Sequence, residues 1–252
     1  MKLLAFETAT EACSVALYLD GEVIERYEVA PRLHAEYALP WAEQLLADAG
    51  IKRSQLDAIA VSRGPGAFTG VRLAIALAQG IALALHKPVV AVSTLMAIAA
   101  AFPPPLRQQG RAGEGSSGRQ DSPEKVRILA AIDARMGEVY AGAFERHGDQ
   151  LIAVSTEVVA APAEVALPDS QGNWHGAGTG FAAADCALQL HLGSQLIEVD
   201  ATILPHAADV ARLAVAAFER GEAVAPERVE PAYLRNNVAL TLQEQKAARA
   251  AK

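Results

Sequence analysis

One pattern in this chain occurs twice, and it restricts the fold more than anything else in the sequence. Leu3 to Phe6 is a short apolar run that ends on an acid, Glu7; a polar turn comes next, then Cys13 to Leu19, an Asp20-Gly21 turn, and Val23 to Val29. Short runs of this kind broken by an Asp-Gly pair read as a three-strand antiparallel meander. Far downstream, Arg127 to Ile132 again ends on an acid, Asp133. The chain then turns through Ala134-Arg135-Met136-Gly137 into Val139 to Phe144, and through His147-Gly148-Asp149 into Leu151 to Val159.

The segments after the two meanders also correspond. In the first half the spacing predicts a helix over Leu33 to Ala49, a strand over Ala58 to Ser62, a helix over Thr69 to His86, a strand over Val89 to Val92, and a helix capped by Ser93. In the second half it predicts a short helix near Ala163, a strand around Trp174, a helix over Gly180 to Leu192, a strand near Ile197, and a helix over His206 to Arg220. This is an α/β chain with the pattern of a duplicated ribonuclease H-like (actin-like ATPase, ASKHA) fold: two mixed-sheet domains, the second abbreviated. The expected layout is a first domain over 1–103, completed by the helix 206–220, and a second over 126–205. A Gly-, Ser- and charge-rich stretch at 104–125 has no apolar periodicity and is read as a disordered insertion. The tail is 221–252, with Pro231 to Arg235 docking on the body and Thr241 to Lys252 helix-prone and frayed.

Composition narrows the functions. A formal charge of −7 on 252 residues argues against strong independent binding to nucleic acid, whose phosphates are met by clustered Lys and Arg. Cys13 and Cys186 are far apart and form no C-x-x-C pair, so neither a zinc site nor a disulfide framework is expected. Glu7 interrupts the N-terminal apolar run too early for a signal peptide, and the run Val71 to Leu85, which includes Arg72, Gln79 and Gly80, is shorter than the roughly 20 residues of a membrane span. A cytoplasmic protein without a membrane segment is expected.

The loop Arg63-Gly64-Pro65-Gly66-Ala67-Phe68-Thr69-Gly70-Val71-Arg72 joins a strand to a helix, an arrangement whose free N–H groups can hold an anion. It lacks the Lys-Ser/Thr of a P-loop and has G-x-G-x-x-x-G where a dinucleotide fingerprint needs G-x-G-x-x-G. A tight turn in which glycine permits close backbone approach is the stronger reading. From Gly70 to His86 the only strongly polar residues are Arg72, Gln79 and His86, seven apart on one stripe. A helix apolar around most of its circumference needs cover on both sides. Two readings compete: burial within its own body, or a subunit interface shared with the helix that carries His34, Tyr37, Trp41 and Leu45. The interface reading uses Arg72, Ala74, Ala78, Gln79 and Ala82.

Metal and nucleophile motifs are missing. Four residues after His34, where H-x-x-x-H would place a second ligand, stands Ala38, and no other histidine has a second within five residues. There is no G-x-S-x-G elbow. H-E-x-x-H is also absent, against a metalloprotease. The remaining chemical candidates are Glu7 and Asp133, whose strand ends would face one interdomain cleft, with Thr8, Thr10 and Arg135 beside them and Gly176 and Gly178 to support an adenine ring. Acids also end strands merely to meet solvent.

Four segments together are similar to one family. Phe6-Glu7-Thr8-Ala9-Thr10, His34-Ala35-Glu36, the long glycine motif and Asp133-Ala134-Arg135-Met136-Gly137-Glu138-Val139-Tyr140 resemble the TsaB (YeaZ) family, small subunits of the bacterial machinery that makes threonylcarbamoyladenosine in tRNA. The resemblance covers most of the chain outside 103–125 and the last dozen residues. It implies an actin-like fold and a non-catalytic subunit that pairs with TsaD, which carries the metal motif and transfers the threonylcarbamoyl group to adenosine. The ATPase TsaE is the third member. It implies first-domain helices as the pairing face and a homodimer by the same face when alone. With the acidic charge, tRNA contact is expected mainly through the partner; no cofactor is expected to be required by this chain, and whether ATP or ADP binds at a subunit boundary is an open alternative at this point. The rival expectation is an active Mg-ATP-dependent phosphotransferase or ATPase that uses Glu7 and Asp133.

Overall fold

The computed structural model describes residues 1–103, 125–169 and 172–235. The expected insertion, apart from Lys125, and the frayed helix after Thr241 lie outside them.

The first meander is β1 (Lys2–Glu7), β2 (Ala12–Leu19) and β3 (Glu22–Val29). After it come α1 (His34–Asp48), β4 (Ala58–Ser62), α2 (Phe68–Leu85), β5 (Val89–Val92) and α3 (Thr94–Ala101). The second half holds β6 (Lys125–Arg135), β7 (Glu138–His147), β8 (Gln150–Ala153), β9 (Val158–Ala160), β10 (Trp174–Ala177), α4 (Ala187–Leu192), β11 (Leu196–Asp200) and α5 (Ala207–Glu219). The sheet orders are β3-β2-β1-β4-β5 and β8-β7-β6-β10-β11. β1 and β6 each pair antiparallel to the next strand, β2 or β7, and parallel to β4 or β10, and β5 and β11 lie parallel to β4 and β10. The fold is a duplicated ribonuclease H-like, actin-like α/β fold.

Strand alternation decides what covers each face. In β1, Leu4 and Phe6 face the cluster built with α1 and α2, while Leu3 and Ala5 face α5. Ala5, Ala16, Ala58 and Ala60 keep the second face shallow, and α5 meets it with Ala207, Ala211 and Ala214. Small residues on both sides let helix and sheet approach closely. α3 turns Leu95, Ile98 and Ala99 to β6 and β7 of the second sheet, although chain order assigns it to the first domain. The two halves thus exchange helices: α3 from the first covers the second sheet, and α5 from the second covers the first.

The second half departs from expectation in two places. The strand expected over Leu151 to Val159 is broken into β8 and β9, both paired with β7. Between them the Ser155 hydroxyl accepts from the Ala143 N–H at 2.9 Å, in place of a strand carbonyl. The helix expected over Gly180 to Leu192 is a 3-10 turn, Thr179–Phe181, followed by α4 alone. Ala184, Asp185 and Cys186 between them are all left-handed, and Phe181 is drawn into the core beside Trp174. The short helix near Ala163 is likewise a single 3-10 turn, Pro162–Glu164.

Candidate functional site

A cleft of about 1300 Å³ lies between the halves. One wall is the Thr8–Glu11 turn and the glycine loop; the other is the β6–β7 turn with Thr179, Ala182 and Ala183. Pro31, Arg32, His34 and Ala35, with residues 232–235, also line it.

On the first wall the loops are closed onto each other. The Ala67 N–H donates to the Ala9 carbonyl at 2.7 Å, and the Thr8 hydroxyl donates to the Gly70 carbonyl at 2.7 Å. A Cβ at Gly66 would stand 2.4 Å from the Ala9 oxygen, and one at Gly70 would stand 1.9 Å from the Thr8 oxygen. The two glycines are there because another backbone passes against them. The Ala67 N–H, one of the donors an anion at this loop would use, is thereby taken up within the chain.

Glu7, expected in the cleft, is not there. Its side chain is wholly buried, and Oε1 accepts from the Ala9 N–H at 2.5 Å. Oε2 has no partner in normal hydrogen-bond geometry among the described residues, nor has the Ser62 hydroxyl, although Ser62 lies close enough to favour the ionised form slightly. Burial dominates and pushes the carboxyl from its ordinary 4.5 up to about 7, against the weaker pull of the Ala9 N–H, Ser62 and His206. An acid sealed behind its own turn can neither ligate magnesium in the cleft nor exchange protons with a substrate there.

Asp133 does line the cleft, but Oδ1 accepts from the Arg135 N–H at 2.8 Å and Oδ2 pairs with the Arg135 guanidinium at 3.0 Å. The pair fastens a turn in which Arg135 and Met136 are left-handed. Gly176 and Gly178 offer no adenine platform. A Cβ at Gly176 would lie 2.7 Å from the Phe181 ring, and one at Gly178 would lie 2.4 Å from the Ala131 oxygen, so both serve packing. Thr8 and Thr10 are on the cleft wall but almost fully buried. These residues do not fit a nucleotide held as the fold would imply. Among the described residues no group of three His, Cys, Asp or Glu stands ready for a metal ion. His34 donates from Nε2 to the Thr10 and Ala12 carbonyls at 3.0 and 3.2 Å, and Ala38 is buried in the core where a second imidazole would have no room.

The interface candidates divide. Leu45, Ala74, Ala78 and Ala82 are sealed in the first-half core and cannot themselves meet another chain. Gln79 turns inward and donates to the Pro226 and Val229 carbonyls at 3.0 and 3.3 Å, because the tail lies across that flank of α2. Tyr37 and Trp41 stack at 4.9 Å and pack partly on the core. His86 closes the helix in a left-handed conformation. The open side of α2 is formed by other residues: Phe68 (59% exposed), Arg72, Ala76, Gly80, Leu83 (54%) and Ala84. Beside it, α1 exposes Leu39 at 44%, and a groove of about 270 Å³ runs between the helices, bordered by Leu39, Leu46, Gly80, Ile81 and Ala84. By length and composition α2 also meets the criterion for crossing a membrane; here its other side is packed on the first sheet.

Comparison with known proteins identifies the lineage of this architecture. Residues 25–243 match the family model described as TsaD, tRNA N6-adenosine threonylcarbamoyltransferase. The chain is 40% identical over 248 residues to the tRNA threonylcarbamoyladenosine biosynthesis protein TsaB of Escherichia coli K12, which covers 95% of this chain and 96% of that protein. The chain belongs to the TsaB family. The TsaB of Haemophilus influenzae is 35% identical, over 94% of this chain and 95% of its own. YeaZ from Pseudomonas aeruginosa superposes with a TM-score of 0.78 at 43% identity, covering 92% of this chain and 99% of that one. A shorter match, 48% identical over 65 residues, covers 26% of this chain and 18% of the tRNA N6-adenosine threonylcarbamoyltransferase of Magnetococcus marinus.

Proposed function

We propose that this TsaB-family chain is a non-catalytic subunit of threonylcarbamoyladenosine biosynthesis, and that it acts by pairing with a TsaD-type catalytic subunit through the exposed side of α2 and the adjoining face of α1. The observation that carries the reading is the row Ala76, Gly80, Leu83 and Ala84, apolar and exposed on a helix whose opposite side is packed on the core, with Phe68 at its start exposed beside Arg72 and Tyr233. Small residues in its middle allow a second helix to approach, and the flanking aromatic and leucine side chains supply area to bury. The interior supports the same reading. Glu7 is buried away from the cleft, and Asp133, which does line it, is paired with the exposed Arg135, an arrangement that favours a binding subunit over a phosphotransferase built on these two carboxylates.

TsaE joins the assembly as its ATPase, and tRNA is held mainly by the partner, in keeping with the charge of −7 on this chain. Without TsaD, two copies meet through the same face. The test is Leu83→Glu, with Ala76→Glu as a second variant, assayed for TsaD binding by sedimentation. Each variant is expected to keep the wild-type circular dichroism and to bind TsaD at least tenfold more weakly. Wild-type affinity in both variants would overturn the assignment. Ala78→Glu is not a usable test, because it places a charge in this chain's own core.

A further inference from the structure

The tail does more than end the chain. Val224 bridges to Val89, Gln79 holds Pro226 and Val229, and the Ala232 N–H donates to the Arg63 carbonyl at 2.8 Å, so the segment is fastened along the first half up to the cleft rim. There the Tyr233 hydroxyl accepts from Arg72 Nε at 2.8 Å, and its ring stacks with Phe68 at 6.3 Å. Two residues on, the attachments change sides. Arg235 donates to the Ala134 carbonyl at 3.2 Å, pairs with Glu138, and reaches Met136 Sδ at 3.7 Å, all in the β6–β7 turn of the second half.

We propose that residues 232–235 form a tie across the cleft mouth that fixes the two halves relative to each other. Three residue steps span at most about 11 Å, so little slack separates the two anchors. A displacement of the halves by more than a few ångströms must break one end, and the Arg235 end, held by side-chain contacts alone, is the one that yields. Among the described residues the halves are also joined through α3, whose cap Ser93 donates to Glu157, and through α5; neither helix lines the cleft, so the tie closes a frame on the side that those helices leave open. The two-lobed fold would otherwise be free to hinge about its cross-connections. This chain holds itself at one opening.

The test measures the distance between the halves directly. Spin labels are placed at Ala47 on α1 and Ile197 on β11, both exposed, in the full chain carrying Cys186→Ser; Cys13 is buried and does not compete for label. The expected result is a single narrow distance distribution in the otherwise wild-type chain. Arg235→Ala should broaden it by at least twofold and shift it to longer distances, and so should Arg235→Glu. Combining Arg235→Glu with Glu138→Arg rebuilds the ion pair but not the donor to the Ala134 carbonyl, so it should narrow the distribution relative to Arg235→Glu alone, which a simple loss of folding would not allow. An unchanged distribution in Arg235→Ala, a broad one in the parent, or no recovery in the charge-swapped pair would overturn the proposal.

Discussion

Replacing Glu7 by Gln should change how the stability of the chain responds to pH. Glu7 is raised from 4.5 to about 7 by burial, while in the unfolded chain it titrates at the ordinary value. Between those values the folded state keeps a proton that the unfolded state has released, so stability falls by about 1.4 kcal/mol for each pH unit. The contribution is complete below pH 4.5, is lost as pH rises through about 7, and is constant above. The full loss is about 3 kcal/mol, a large share of the 5–15 kcal/mol typical of folded domains. Gln keeps the shape and the acceptor for the Ala9 N–H, and its amide can donate to the Ser62 hydroxyl, which has no partner among the described residues. It cannot ionise. Urea unfolding of both chains at pH 5 and pH 9 should therefore give stabilities within about 1 kcal/mol at the lower pH and a variant ahead by about 3 kcal/mol at the higher. His206 titrates in both chains and largely cancels in the difference. A gap between wild type and variant that stays constant from pH 5 to pH 9 would refute this reasoning, for it would mean that Glu7 is not held as a buried, proton-retaining acid.

Gly70→Ala should unfold the chain or lower its melting temperature severely, because its Cβ would stand 1.9 Å from the Thr8 oxygen, whereas Gly80→Ala meets open space and should stabilise the isolated chain by about 0.5–1 kcal/mol in thermal melts. His206 is raised above 6.5, chiefly by the Glu25 carboxylate at 3.0 Å, so its contribution is complete below pH 6.5 and disappears as pH rises through the folded value. His206→Gln should consequently cost more stability at pH 5.5 than at pH 9, a comparison that the same urea series provides.

The elements legible in the sequence are those whose period and punctuation agree. Apolar runs ended by Glu7 and Asp133, with Asp20-Gly21 and Gly148-Asp149 between strands, disclose both meanders because strand length and turn chemistry are local properties. That both sheets share one strand order agrees with that repeat. The features that stay hidden depend on contacts between distant segments. Ala74 and Ala76 are alike in sequence, yet the first is buried against the sheet and the second is open, and Gln79 is drawn away from the expected interface because residues 226–229 fold back over that flank of α2. Gly176 and Gly178 give no sign that Phe181 and Ala131 close over them. The same holds for Glu7: its place at the end of a strand is visible, but its burial arises from the turn Thr8–Thr10, which folds over it and is bonded to the glycine loop. The alanine-rich stretch after Phe181 has high helix propensity and still yields three left-handed residues, a tertiary override that local preference cannot anticipate.

In the proposed role this chain enables a transfer which another subunit performs. The decisive quantity is threonylcarbamoyladenosine in digested tRNA, quantified by mass spectrometry after incubation with TsaD, TsaE, ATP and threonylcarbamoyl-adenylate, with each protein omitted in turn. Product is expected with the full set, none with this chain alone, and loss of product when this chain is left out or replaced by Leu83→Glu. Undiminished product in its absence, or transfer by this chain without TsaD, would contradict that role.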